Sequence, residues 1–145
     1  MILRKWEKQD LQNIAKLHQD NFIDCWNYNM LQESFNNGNY LTVLAEDDGK
    51  IIGTLTYFVT DTEADLISIV VDSNYRNRGV ATYLMQNFNT VYQNFKVQKI
   101  FLEVRKQNLF AQKLYLKFGY KKIAERKKYY FDGEDAVIMV WEEQN

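Results

Sequence analysis

The chain has 145 residues, 46% of them hydrophobic, and a formal net charge of -1, a size at which one continuous core spanning 1–145 is expected rather than two halves. The near-neutral charge excludes a general attraction to nucleic acid or anionic lipid, so neither is expected as a partner and any anion site has to be built locally. One cysteine and one histidine exclude an internal disulfide and a zinc cluster, so no metal is expected.

Apolar runs are a few residues long, far short of the roughly 20 needed to cross a bilayer, and the start Met1-Ile2-Leu3-Arg4-Lys5-Trp6 lacks a signal peptide's apolar core. A soluble, cytoplasmic protein is expected. Ile2 to Trp6 reads as a strand, and Glu7 to Phe22 carries Leu11, Ile14, Ala15, His18 and Phe22 at helical spacing. His18, alone on an apolar helix face, reads as a core or edge residue, and Cys25 as a small buried apolar group. Trp26 either packs or lines an acceptor groove. A second helix is expected from Asn27 to Phe35, stopped by Asn36-Asn37-Gly38-Asn39.

Tyr40 to Ala45 and Ile51 to Val59 are β-branched and aromatic runs with Asp48-Gly49 between them, which predicts a hairpin. Ala64 to Asp72, almost uninterruptedly apolar from Leu66 to Val71, suits a central strand. Gly79 to Phe95 has helical spacing, Ile100 to Arg105 returns to strand, and together they predict a βαβ unit. Asn108 opens another helix, which Gly119 ends in a left-handed cap. Lys121 to Tyr130 and Ala136 to Trp141 close the chain as strands around Phe131-Asp132-Gly133-Glu134. The order β-α-α-β-β-β-α-β-α-β-β predicts an α/β fold: a mixed, mostly antiparallel sheet of about seven strands with helices on both faces.

The sharpest motif is Arg76-Asn77-Arg78-Gly79-Val80-Ala81-Thr82. The first turn of a helix offers backbone N–H groups without intrahelical partners, together with the positive end of the macrodipole. Gly79 and Ala81 remove bulk where a pyrophosphate would lie, Arg76 and Arg78 add charge, and Thr82 can donate a hydroxyl. The pattern is neither the three-glycine dinucleotide loop nor a P-loop. Read alone, it could also be an ordinary glycine-containing helix start.

The segment resembles the Gln/Arg-x-x-Gly-x-Gly/Ala pattern of the GNAT superfamily, and the strands around it and Asn108 fall where that family has them. The resemblance covers essentially the whole chain and implies acetyl-coenzyme A as co-substrate. It further implies that the backbone of Ile69, Val70 and Val71 pairs with the pantetheine arm. The pyrophosphate would be held by Asn77, Arg78, Gly79, Val80, Ala81 and Thr82, and Asn108 would contact the cofactor near its reactive end.

Acetyl transfer to an amine needs a free-base amine, a polarised carbonyl and a proton for the departing thiolate. Glu103, on the strand face opposite Ile100, Leu102 and Val104, is the candidate base; a carboxylate paired with Arg105 or a lysine is the other reading of it. An α-amino group, with a pKa of about 8, asks little of such a base. Tyr115, seven residues after Asn108 and so on the same helical face, is the candidate acid. Packing in the core is its other reading. The backbone N–H of Val71 would meet the charge on the carbonyl.

Within the superfamily the chain is similar to the ribosomal-protein-alanine N-acetyltransferases. The likeness rests on Ala64 to Asp72, Phe101 to Arg105, and Arg126-Lys127-Lys128-Tyr129-Tyr130 followed by Glu134-Asp135-Ala136-Val137-Ile138-Met139. It implies Glu103 as proton acceptor, Tyr115 as proton donor, and the N-terminal alanine of the eighteenth small-subunit ribosomal protein as acceptor, so a ribosomal N-terminal peptide is the expected partner of a monomer. The pattern departs at Cys25-Trp26, where that group has Pro-Trp, and in the proline-free loop after Tyr130. Glu134 and Asp135 stay open between hairpin charges and substrate contacts. A GNAT enzyme acting on a small-molecule amine and a non-catalytic coenzyme A-binding module are the alternatives.

Overall fold

The computed structural model describes residues 1–22, 24 and 26–144; Cys25 lies outside them. Seven strands and four helices follow in the expected order: β1 (Ile2–Lys5), α1 (Leu11–Asn21), α2 (Tyr28–Asn36), β2 (Tyr40–Asp47), β3 (Lys50–Thr60), β4 (Glu63–Val71), α3 (Val80–Val91), β5 (Lys99–Arg105), α4 (Leu109–Lys117), β6 (Lys121–Arg126) and β7 (Ala136–Glu142). The sheet order is β1-β2-β3-β4-β5-β7-β6, with β4 and β5 parallel and the pairs β1–β2, β2–β3, β5–β7 and β6–β7 antiparallel. The chain divides into two compact units, Met1–Val59 with Ile67–Phe95 and Thr60–Leu66 with Lys96–Asn145.

In the first unit the hairpin β2–β3 turns at Asp48 and Gly49, whose φ of 53° and 80° are the two positive values that a two-residue turn matched to strand twist requires. Successive residues of β3 then face opposite ways. Thr54 meets His18 of α1, Nε2 to Oγ1 at 3.1 Å. A Cβ on Gly53 would lie 3.1 Å from Val80 and 3.2 Å from Leu84 of α3. Helices therefore cover both faces. On the α3 face Tyr57 packs edge-on to Phe88 at 4.6 Å, and Phe88 stacks on Tyr92 at 5.0 Å. On the other face Trp6, Leu11, Ile14, Leu17, Leu31 and Leu44 form a core, against which the half-buried Trp26 packs.

Two helix boundaries differ from expectation, each for a tertiary reason. The first helix begins at Leu11 rather than Glu7, after a single 3-10 turn at Lys8–Asp10, because Asp10 takes the Glu7 N–H at 2.7 Å and both terminal nitrogens of Arg4 at 2.8 Å. α3 ends at Val91 rather than Phe95. The chain turns out of the helix at Tyr92 and brings Phe95 back within 4.8 Å of Tyr57 and 4.9 Å of Phe88, so aromatic burial prevails over another helical turn.

In the second unit β5 pairs with β7 from Lys99↔Glu142 to Arg105↔Ala136, and with β4 over Glu63↔Lys99, Ala64↔Ile100 and Asp65↔Phe101. Ile100, Leu102 and Val104 are buried with Val137 and Met139 of β7 and Ala111 and Leu114 of α4. Asn108 caps α4 by accepting the Ala111 N–H at 3.1 Å. Gly119, at φ 90°, follows the helix as expected, with Trp141 3.3 Å from where a Cβ would stand. β6 is shorter than predicted, stopping at Arg126. Lys128 takes φ 52° and gives its N–H to Asp135 at 2.9 Å, which turns residues 127–135 into a loop.

His18 is 2% exposed, and burial pushes its imidazole down to about 4. Its Nε2 meets Thr54 while its Nδ1 has no hydrogen-bond partner among the described residues, so the expected core histidine is only half satisfied. Because the unfolded chain binds this proton from about pH 6.5 downward and the folded chain does not, the stability that neutral His18 contributes is complete above that pH and lost on the way to pH 4. The loss is on the order of 3 kcal/mol. Denaturant titrations of wild type and His18→Met should diverge across that window, the wild type falling more steeply; parallel curves would refute this role for His18.

Candidate active site

Between β4 and α3 the chain makes a built turn. Asp72 accepts the Asn74 N–H at 2.8 Å, Ser73 gives its N–H to Asn21 Oδ1 at 2.9 Å, and Arg76 reaches the Asn21 carbonyl at 3.3 Å. Asn77 and Gly79 both adopt left-handed backbone, at φ 63° and 76°, and Gly79 is the N-cap of α3. Arg78 lies over the Tyr75 ring at 5.1 Å. The first helical bond recorded here runs from the Tyr83 N–H to the Gly79 carbonyl at 2.9 Å, so the N–H groups of Val80, Ala81 and Thr82 have no intrahelical acceptor.

A phosphate fits these residues. A Cβ on Gly79 would meet nothing within 4 Å, the first turn of α3 holds no acidic residue, and Asn77, Arg78 and Gly79 are exposed. Val80 contributes only backbone, because its side chain is buried under Gly53. On β4, Val70 is buried while Ile69 and Val71 are half exposed, leaving their side chains on one face of the strand.

In the second unit Glu103 is exposed between buried Leu102 and Val104, on the face expected for it. Arg105 shares that face two residues on, yet its side chain is only 10% exposed, bonding Asp132 at 2.8 Å and Glu134 at 2.9 Å. Its guanidinium sits 4.2 Å from the Tyr130 ring centre and 5.8 Å from that of Phe131. Glu134 also accepts the Gln107 N–H at 2.8 Å, and Asp135 takes Lys127 Nζ at 3.1 Å. Glu134 and Asp135 thus hold the loop's own architecture as hairpin charges. Bonding to the Glu134 backbone and to Arg105 holds the Asp132 carboxyl below its usual range.

Two further titratable groups feel the Glu103 carboxylate. The Glu103 carboxylate, with some burial, pushes the Tyr129 phenol upward. Burial and then the charges of Glu103 and Glu63 push the Asp65 carboxyl of β4 upward as well. Reading by periodicity missed these roles, since Tyr129 lay at the end of a supposed strand. The available signal was the cluster of aromatic and acidic residues from 129 to 135. Asn108 is exposed and spends its Oδ1 on the helix cap, leaving Nδ2 as the atom that could donate to a ligand. Tyr115, on the same helix, is 5% exposed with its ring 5.7 Å from Tyr120. Among the described residues no group of three or more His, Cys, Asp or Glu could hold a metal, and no helix is long and apolar enough to cross a membrane.

Comparison with known proteins agrees with this architecture. Residues 11–120 match the model of the acetyltransferase (GNAT) family. An uncharacterised N-acetyltransferase of Methanocaldococcus jannaschii is 28% identical over 100% of this chain and 94% of its own. An N-alpha-acetyltransferase of Sulfurisphaera tokodaii is 27% identical over 94% and 90%. Among solved structures, the ribosomal-protein-S18-alanine N-acetyltransferase from Escherichia coli superposes with a TM-score of 0.88 at 27% identity, over 97% of this chain and 92% of that one. The fold is that of the GNAT acetyltransferases, and these relatives support an acetyl-CoA-dependent N-acetyltransferase. The chain belongs to the acetyltransferase (GNAT) family.

Replacing Arg105 by Met removes one cation from two carboxylates and strips the Tyr130 ring of its partner. The thermal midpoint should drop by about 5 °C, and proteolysis within residues 127–135 should accelerate. Arg105→Lys should recover only part of the loss, since an ammonium lacks the planar face that stacks on the Tyr130 ring. Full recovery by lysine would mean that charge alone holds the loop.

Proposed function

We propose that this chain transfers acetyl from acetyl-CoA to the N-terminal α-amino group of a protein, its acceptor being the N-terminal alanine of the eighteenth small-subunit ribosomal protein. The observation that carries the reading is Glu103: a carboxylate standing exposed on a strand whose neighbours are buried, in a chain that aligns nearly end to end with the E. coli alanine N-acetyltransferase.

Bound acetyl-CoA would supply an activated thioester carbonyl. Asn77 to Thr82 would hold its pyrophosphate through backbone N–H groups at the positive end of α3, with Arg78 adding charge. The backbone of Ile69 to Val71 would pair with the pantetheine arm, and the Val71 N–H would meet the charge developing on the carbonyl. Asn108 would donate near the thioester. Glu103 would take the last proton from the amine, directly or through one water. Tyr115, a phenol of ordinary pKa about 10 as a class, would return a proton to a thiolate whose acid lies near 8.5, a slightly uphill transfer. The α-amino group suits this machinery, being already partly free base near neutrality.

Incubation with acetyl-CoA and a peptide beginning Ala-Arg, beside a panel of small amines, separates the acceptors: the peptide should gain one acetyl group at its α-amine. Acetylation of the small amines alone would defeat the reading. Glu103→Gln should cut kcat by about 10²-fold or more while acetyl-CoA still binds; an unchanged rate would remove Glu103 from the chemistry. Gly79→Val, which cannot hold φ 76° cheaply, should weaken acetyl-CoA binding by about tenfold or more in calorimetry, with little loss of fold because the position is exposed. Unchanged affinity would place the pyrophosphate elsewhere.

A further inference from the structure

We propose that Asn21, the last residue of α1, is a positioning residue for acetyl-CoA: it holds the loop between β4 and α3 in the conformation that receives the pyrophosphate before the cofactor arrives. This rests on the reading of residues 77–82 as the pyrophosphate site.

The loop opens with a single 3-10 turn, Ser73–Tyr75, and the first amides of such a turn have no acceptor within it. Asp72 takes two of the three: its carboxylate accepts the Asn74 N–H at 2.8 Å and its carbonyl the Tyr75 N–H at 2.8 Å. The third acceptor comes from α1, where Asn21 Oδ1 takes the Ser73 N–H at 2.9 Å. Asn21 is oriented for this by its own helix, since its Nδ2 donates to the Leu17 carbonyl at 2.9 Å. A carbonyl on one side and an N–H on the other admit one orientation of the amide.

Arg76 returns to the same residue, giving Nη2 to the Asn21 carbonyl at 3.3 Å. That carbonyl is among the last of α1 and has no helical partner, and it stands at the negative end of the helix, where a cation is favoured. Both ends of the segment 73–76 therefore converge on Asn21. The residue before that segment is tied to β3: Asp72 gives its N–H to the Ile52 carbonyl at 2.8 Å, and its carboxylate meets Lys50 at 3.2 Å.

Such bracing has a physical purpose. Just beyond it Asn77, at φ 63°, and Gly79, at φ 76°, take left-handed backbone in exposed chain, and a non-glycine residue keeps that conformation where its surroundings determine it. Apparent affinity falls in proportion to the time a loop spends out of its binding conformation. Holding the loop ahead of binding removes that cost.

Asn21→Ala removes the side-chain amide and leaves a good helix former in its place, so α1 is retained. Calorimetry with coenzyme A should show about tenfold weaker binding, and KM for acetyl-CoA should rise by about the same factor. At saturating acetyl-CoA, kcat and the KM for the Ala-Arg peptide should stay within about twofold, with an unchanged thermal midpoint. Hydrogen exchange across residues 73–79 should be faster in the free variant than in the free wild type, and equal in the two once coenzyme A is saturating. Two outcomes would overturn the proposal: unchanged affinity for coenzyme A, or weaker affinity with a matching fall in kcat and a lower thermal midpoint, which marks a general loss of packing. Weak binding by Gly79→Val beside wild-type binding by Asn21→Ala rejects the role of Asn21 alone. Wild-type binding by Gly79→Val is a different failure, since it removes the pyrophosphate site itself, and the role of Asn21 with it.

Discussion

The second unit is organised by one buried guanidinium. Arg105 sits on the face of β5 that carries Glu103, and strand alternation alone would leave it in solvent. It is buried because the loop from Lys127 to Asp135 folds over it, placing two carboxylates at its Nη1 and an aromatic ring on its plane. A guanidinium is suited to this position, since Nη1 can donate to both carboxylates while the planar face stacks on the ring. The two anions and the hydrogen bonds offset its desolvation, and the result is a loop with few alternatives. The same face of β5 is thus covered at Arg105 and exposed at Glu103.

The first unit meets a different demand with backbone alone. Gly79 at φ 76° turns the chain sharply into α3, so the N–H groups of the first helical turn have no intrahelical acceptor. The helix behind it is anchored by Val80, Leu84 and Phe88, all buried. Gly53 of β3 makes that anchoring possible, since a side chain there would crowd Val80 and Leu84. Two glycines thus act at opposite ends of one argument: the first sets the loop's conformation, the second lets the helix lie close to the sheet.

Much of this was legible in the residues. The order of elements followed from apolar periodicity, and Asp48-Gly49, Gly79 and Gly119 marked their turns because left-handed backbone favours glycine there. Glu103 was placed on its face by the two-residue period of a strand. What was not legible depends on contacts between residues remote in sequence. The end of α3 is set by Phe95 returning to Tyr57, and the end of β6 by Lys128 bonding to Asp135. The partners of Arg105 lie 27 and 29 residues further on, and no local pattern announces them. The same holds for Tyr129, which reads as strand until the loop's own hydrogen bonds are known.

We propose that these elements serve to acetylate a protein's N-terminal alanine. Intact-mass and N-terminal peptide mass spectrometry of ribosomal proteins, from cells with and without this gene, tests it most directly. The eighteenth small-subunit protein should carry an acetylated alanine in the first and a free one in the second, restored by the wild-type gene and not by the Glu103→Gln form. An N-terminus still acetylated in the cells lacking the gene would contradict it.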